Sequence, residues 1–344
     1  MKQIFAAALA ASLGASALAA DLPETEFNVV GSIGSLSMYT DKEKPFWTEQ
    51  VPAETGGALK VNVKPFTELG FKGGEIFRLV SNGTLQLATT VLAYNSGEVP
   101  MNEATDLVGL LSSVEQLAEV VEVWRPAFAE FLETKHNIKL LGFGTYQAQV
   151  IYCRDEFKSI ADLAGRKVRA SGASQQAFVS HLGGSPVSIA FAEVQPSLAS
   201  GVVDCAITGA LSGYKAKWSE AAKFVSPMPV NFGLAAQLAN LDWWNGLDPA
   251  VQEYLSISLR GLEDSIFELA ATETATGLAC NTSGPCPHGE PAGSTLVPLT
   301  AADEALRAEA VKKAILPAFA ERCGAECVAT WNSTIGAKLG VTIE

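Results

Sequence analysis

Base is what this 344-residue chain has little of: 24 lysines and arginines stand against 37 aspartates and glutamates, and there are only three histidines and four methionines. A polyanionic nucleic-acid backbone calls for clustered basic residues, so nucleic acid is excluded as a partner. His136, His181 and His288 are not spaced as zinc ligands, and no metal site is expected. The chain has no GxSxG elbow, HExxH pair, P-loop or GxGxxG fingerprint, and the GSIGS run at residues 31–35 lacks the phosphate-loop pattern. Without a recognisable acid, base or nucleophile arrangement, neither an enzyme nor a cofactor is expected. Beyond the N-terminus there is no run of eighteen apolar residues, the length a membrane helix needs.

The N-terminus itself, MKQIFAAALAASLGASALAA, joins one lysine to an apolar run and places Ala17 and Ala19 at the spacing of a cleavage site. Residues 1–20 therefore read as a secretory signal peptide, with the mature chain starting near Ala20 or Asp21 outside the cytoplasm, in the periplasm. The remainder exceeds what one core supports, which predicts two domains. Removing Lys2 takes the formal charge from -13 to -14, so an anionic ligand would bind against the overall field and needs local positive charge.

Six cysteines in an exported chain suggest disulfides. Cys280 and Cys286 flank NTSGP, and Cys323 and Cys327 flank GAE, so each pair encloses a short turn and closes locally. That leaves Cys153 and Cys205, both in strand-like runs, as a long-range pair that staples one lobe.

From Glu26 the order is strand, a helix interrupted near Pro52 and closed by Gly56 and Gly57, the alternating strand LKVNVKPFTELG, then helix and strand. This β-α-β-α-β series predicts a parallel, doubly wound half. Residues 106–137 carry helical periodicity, with Pro126 starting a new helix or kinking this one. A second series follows from residue 158, and VNFGLAAQLAN returns the chain to the first lobe. The fold class is therefore α/β with two similar lobes, each a mostly parallel sheet flanked by helices. The boundaries are 21–143 with 229–262 for lobe I, and 144–228 with 263–344 for lobe II. Asp248 as N-cap before Pro249 opens a long helix, 248–279, that can cross between lobes; a coiled-coil partner helix is its rival, but strict heptads are absent.

The stretch 158–213 organises the rest. KVRA is a short strand that delivers Arg169 to its carboxyl end, where ligands bind in open α/β sheets. A guanidinium there suits a carboxylate; a surface salt bridge is the plainer reading. SIADLAGRKVR, followed after a helix by LGGSPVSIAFAEVQPSLASGVVD, resembles the central signature of the solute-binding proteins of TRAP (tripartite ATP-independent periplasmic) transporters. That resemblance implies the two-lobe periplasmic-binding-protein fold, a hinge helix spanning both lobes, and Arg169 as the clamp on a ligand carboxylate. It implies Phe191 as the pocket aromatic, with core packing as the alternative, and Glu193 as the following signature glutamate, read here as ordering a helix N-terminus. It also implies TRAP membrane permease subunits as partners of a monomer.

Two departures bear on the ligand. A second arginine that many members carry upstream is missing from GTYQAQVI, where Tyr146, Gln147 or Gln149 can offer neutral donors, and Thr208 with Gly209 stands where members often have an asparagine. One arginine with neutral donors fits a monocarboxylate, and Tyr94, Tyr214 and Trp218 would suit an aromatic body, unless they are ordinary packing. Ser32, Glu68 and Thr90 join Tyr94 as first-lobe candidates on strand-end loops. The reading is a TRAP solute-binding subunit for a small organic acid. The rivals are a ligand-sensing subunit of a signalling receptor and, more remotely, a secreted enzyme.

Overall fold

The computed structural model describes residues 22–344, and the signal peptide expected at 1–20 lies outside the described residues. Strand β1 (Thr25–Gly31) leads into helical turns over 38–54, here α1, and then β2 (Leu59–Pro65) pairs with β1 in parallel, Thr25 opposite Leu59 and Gly31 opposite Pro65. β2 is an edge strand, and its outward Lys60, Asn62 and Lys64 are the polar residues that protect such an edge. Pro52 does not interrupt α1 as expected. The turn Phe46–Gln50 is π-helical, with the Val51 N–H donating to the Phe46 carbonyl, and this wider turn places the proline, which has no N–H, in the first turn of the segment Val51–Glu54.

Helix α2 (Ile76–Ser81) and β3 (Leu87–Val91) follow, then α3 (Val114–His136) and β4 (Ile138–Thr145). The helix expected from residue 106 starts only at Val114, where the Ser113 hydroxyl accepts from the Gln116 N–H. Leu107, Val108 and Leu111 supply the helix-like apolar pattern, but they are buried in turns. Pro126 starts no new helix, and α3 runs through it. The first sheet has the order β2-β1-β3-β10-β4, with β10 (Leu234–Asn240) antiparallel to both neighbours. Every residue of β10 is buried, as expected for a central strand covered on both faces.

The chain leaves this sheet after β4 and enters a second with β5 (Gln149–Cys153). Then come β6 (Lys167–Arg169), α4 (Ala173–His181), β7 (Ser185–Val187), α5 (Phe191–Ser200), β8 (Cys205–Gly209), α6 (Ala210–Lys215) and β9 (Phe224–Ser226). With β11 (Thr295–Leu296) the order is β11-β9-β5-β8-β6-β7. Each sheet with its helices forms one lobe. The lobes are joined by residues 146–148, by the segment before β10, and by α7 (Pro249–Asn281), whose Asp248 side chain caps the Ala250 N–H. α7 reaches both lobes: Glu263 accepts from the Phe143 N–H at 2.8 Å, and Gly277 allows the helix backbone to press on Ala210 and Leu211. The C-terminal helices α8 (Ala301–Ala310) and α9 (Leu316–Trp331) also straddle the boundary. Asp303 accepts from the Ser159 hydroxyl and Ile160 N–H of the second lobe, whereas the Trp331 indole donates to the Ala104 carbonyl of the first.

All three cysteine pairs are bonded: Cys153–Cys205, Cys280–Cys286 and Cys323–Cys327. Cys153 and Cys205 sit opposite each other on the antiparallel strands β5 and β8.

Asp106 pins the second crossing. One oxygen accepts from the Phe232 N–H (2.8 Å), and the other from the Gly233 and Leu234 N–H groups (2.7 and 3.2 Å) and the Asn231 amide (2.9 Å). Burial lifts its carboxyl pKa to about 6 against the pull of these donors, so it is ionised at neutral pH. Asp106→Ala leaves those donors buried without an acceptor and should cost about 3 kcal/mol of stability, read as a lower urea midpoint at unchanged m-value.

Candidate ligand site

Between the carboxyl ends of the two sheets lies a narrow pocket that is partly open to solvent. Ile33, Leu36, Val91 and Tyr94 bound it from the first lobe; Tyr146 lies on the crossing; Gln149, Arg169, Ser171, Phe191, Thr208, Gly209 and Ser212 complete it from the second. Of the residues singled out in the sequence, Arg169, Phe191, Thr208, Gly209, Tyr146, Gln149 and Tyr94 are thus brought together.

Arg169 is 2% exposed at the end of β6. Its Nε donates to the Ile189 carbonyl at 3.1 Å and its Nη1 to the Ile207 carbonyl at 2.9 Å, which fixes the plane of the fork. Trp218 lies behind, with Cζ 5.8 Å from the ring centroid, and Phe191, the first residue of α5, packs on the same indole at 5.4 Å. Phe191 thus packs on Trp218 and also lines the cavity. Burial pulls the Arg169 pKa down, and the Tyr94 hydroxyl opposes this. Among the described residues no carboxylate pairs with this cation, and no carboxylate, histidine or cysteine lines the cavity. Burying an unpaired charge is costly, so the site favours an anion. Burial also raises the pKa of Tyr94, and that of Tyr146 well above its usual value, so both phenols stay protonated donors.

Ser32, Glu68, Thr90 and Tyr214 do not bound the cavity. Ser32 is committed to the buried Glu43, which accepts from its hydroxyl at 2.6 Å and its N–H at 2.8 Å while the Thr89 hydroxyl takes the other oxygen. Glu68 is exposed in a turn, Thr90 is buried within β3, and the Tyr214 hydroxyl donates to the Glu290 carbonyl. Gln147, oriented to accept from the Leu211 and Ser212 N–H groups at 2.9 Å each, serves the start of α6 instead of the cavity.

The lobes meet around the cavity through contacts that the sequence did not announce. Glu193, read as an aid to its own helix, reaches Lys72 of the first lobe at 2.7 Å. The N-cap residue of α4 is Gly172, which has no side chain to cap the helix, and the first lobe supplies the cap: Ser96 Oγ accepts from the Ala173 N–H (2.9 Å) and Glu103 from the Ser174 N–H (3.0 Å). Arg322 of α9 holds Glu103 in turn. A glycine at an N-cap position was the one visible sign.

Two α/β lobes meeting across a cleft that holds a buried cation are the architecture of extracellular solute-binding proteins. Within that class the chain belongs to the family described as bacterial extracellular solute-binding protein, family 7 (DctP), which residues 34–281 match; it is a TRAP-type solute-binding protein. Among characterised relatives it is similar to the C4-dicarboxylate-binding periplasmic protein DctP of Rhodobacter capsulatus, 27% identical over 280 residues that make up 80% of each chain. The fold matches DctP7 of Bordetella pertussis, an extracytoplasmic solute receptor binding pyroglutamic acid, with a TM-score of 0.78 at 22% identity over 90% of this chain and 99% of that one. It also matches a TRAP periplasmic solute-binding protein from Desulfovibrio salexigens with bound orotic acid, with a TM-score of 0.78 at 18% identity over 91% and 99%. No described helix is long and apolar enough to cross a membrane.

Proposed function

We propose that this chain captures a small organic acid with a single carboxylate between its lobes, in the periplasm, and delivers it to TRAP membrane subunits. The observation that carries this reading is Arg169: a buried cation in the inter-lobe cavity without a protein counter-ion. Its hydrogen bonds to two carbonyls leave the fork pre-oriented for a carboxylate. Among the described residues no second cation lines the cavity, and Lys72 at its neighbouring opening is already paired with Glu193, while Ile33, Leu36, Val91 and Phe191 suit an apolar body. Relatives and structural neighbours that bind pyroglutamate, orotate or C4-dicarboxylates support the acid class and leave the monocarboxylate assignment to this cavity.

A thermal-shift screen tests it. Monocarboxylates should raise the unfolding temperature, since a ligand at a hundred times its Kd adds about 2.7 kcal/mol to the native state. Succinate and malate should do less, and a screen in which dicarboxylates give the largest shift would overturn the single-carboxylate reading.

Binding would draw on closure, because the two lobes contribute facing walls. Gly172 has an extended backbone open to any residue, yet a Cβ there would lie 2.9 Å from the Ala93 Cβ and carbonyl oxygen of the other lobe. Gly172→Val should therefore weaken acid binding about tenfold or more by obstructing closure, with little change in ligand-free stability. Small-angle scattering of this variant should show no ligand-induced compaction.

A further inference from the structure

A chain of buried amides runs from the hinge to the ligand cavity, and its polarity can be worked out from its two ends. Asp106, at the hinge end, is a carboxylate and can only accept, so Asn231 must turn its Nδ2 towards it, as it does at 2.9 Å. The Asn231 Oδ1 is thereby left for Gln175, which donates its Nε2 to it at 2.8 Å. A second anchor agrees: the backbone N–H of Ser171 is a fixed donor, and it holds the Gln175 Oε1 at 2.8 Å. The other hydrogen of the Gln175 Nε2 meets the Gln149 Oε1 at 2.7 Å. Gln175 and Asn231 are 1% and 4% exposed, and turning any of these amides over would set donor against donor or acceptor against acceptor, disfavouring the flipped state about tenfold or more. Gln149, which lines the cavity, is left with its Nε2 beside Gly233, donating to no protein group among the described residues.

We propose that Gln175, backed by Asn231 and Asp106, is a positioning residue that holds the Gln149 carboxamide as a hydrogen-bond donor in the cavity, so that the site selects acids bearing a carbonyl oxygen in addition to their carboxylate. This rests on the organic-acid reading above. An acid with a methylene in place of the carbonyl leaves a buried N–H unpaired, and sites that expect a polar partner discriminate strongly against its absence.

The test is calorimetric titration of three pairs of acids in which a carbonyl replaces a methylene: pyruvate and propanoate, levulinate and pentanoate, and γ-butyrolactone-γ-carboxylate and tetrahydrofuran-2-carboxylate. In the wild type the carbonyl member of at least one pair should bind on the order of ten- to a hundredfold more tightly. Gln149→Met should bring that ratio to near one while both members still bind. Gln175→Met, and the isosteric Gln175→Glu should the former fold poorly, should lower the same ratio severalfold because Gln149 is freed to turn. A merely structural role for Gln175 would weaken both members alike and leave the ratio intact, and that result overturns the relay. Equal binding of both members by the wild type overturns the Gln149 donor while leaving the carboxylate reading standing. If none of the six acids binds, the small-acid reading falls, and this inference with it.

Discussion

Arg169→Ala should lower affinity for a carboxylate ligand about a thousandfold, roughly 4 kcal/mol, by removing the one cation that lines the cavity among the described residues. Arg169→Lys should recover little, and about a hundredfold loss is expected. An ammonium is a point charge that cannot hold the Ile189 and Ile207 carbonyls in one plane and still present a two-pronged face to the ligand. Calorimetry on both variants decides the matter: near-native affinity in the alanine variant would remove Arg169 from the site, and near-native affinity in the lysine variant would show that charge alone, and not the fork, holds the acid. Circular dichroism and scattering should show both variants folded, because Trp218 keeps its packing on Phe191 and Tyr152 when the guanidinium contact is lost.

The second large effect concerns stability. The Cys153–Cys205 bond closes 52 residues of chain, and the loop-entropy relation assigns such a closure about 4 kcal/mol. The bond between Cys280 and Cys286, with a separation of 6, should be worth about half of that. The double replacement Cys153→Ala/Cys205→Ala should therefore lower the calorimetric unfolding temperature by about 8 °C, taking ~2 °C per kcal/mol for a chain of this size. The corresponding change at Cys280 and Cys286 should have about half the effect. Equal losses from the two pairs would show that loop closure is not the source. Both sulfurs of the long-range pair are buried between neighbouring strands, so the alanines leave only a small void.

The sequence showed what is local or patterned. Strand-helix alternation, the Asp248–Pro249 helix start and the spacing of the cysteines each state a physical preference within a few residues. The segment from Lys158 onward placed Arg169 at a strand end for the same reason. Where tertiary contacts decide, the chain was silent or misleading. The apolar residues Leu107, Val108 and Leu111 imitate a helix face because burial, and not helix formation, is what their pattern encodes. Ser32 lies on a strand-end loop that points towards the cleft, yet Glu43 claims it from α1. Gln175 carries no mark in its helix that separates it from Gln176, since its role depends on Asn231, 56 residues away. Lys72 and Glu193 become partners only once two lobes, 121 residues apart in sequence, face each other.

The borrowed cap of α4 makes lobe separation measurable without a ligand. The amide protons of Ala173 and Ser174 are held by Ser96 and Glu103 only while the lobes touch, and on separation they face solvent. Their deuterium uptake therefore reports the fraction of time the cleft is open in the intact protein. An acid that holds the lobes together should lower the exchange rate in step with the fraction of molecules left unoccupied.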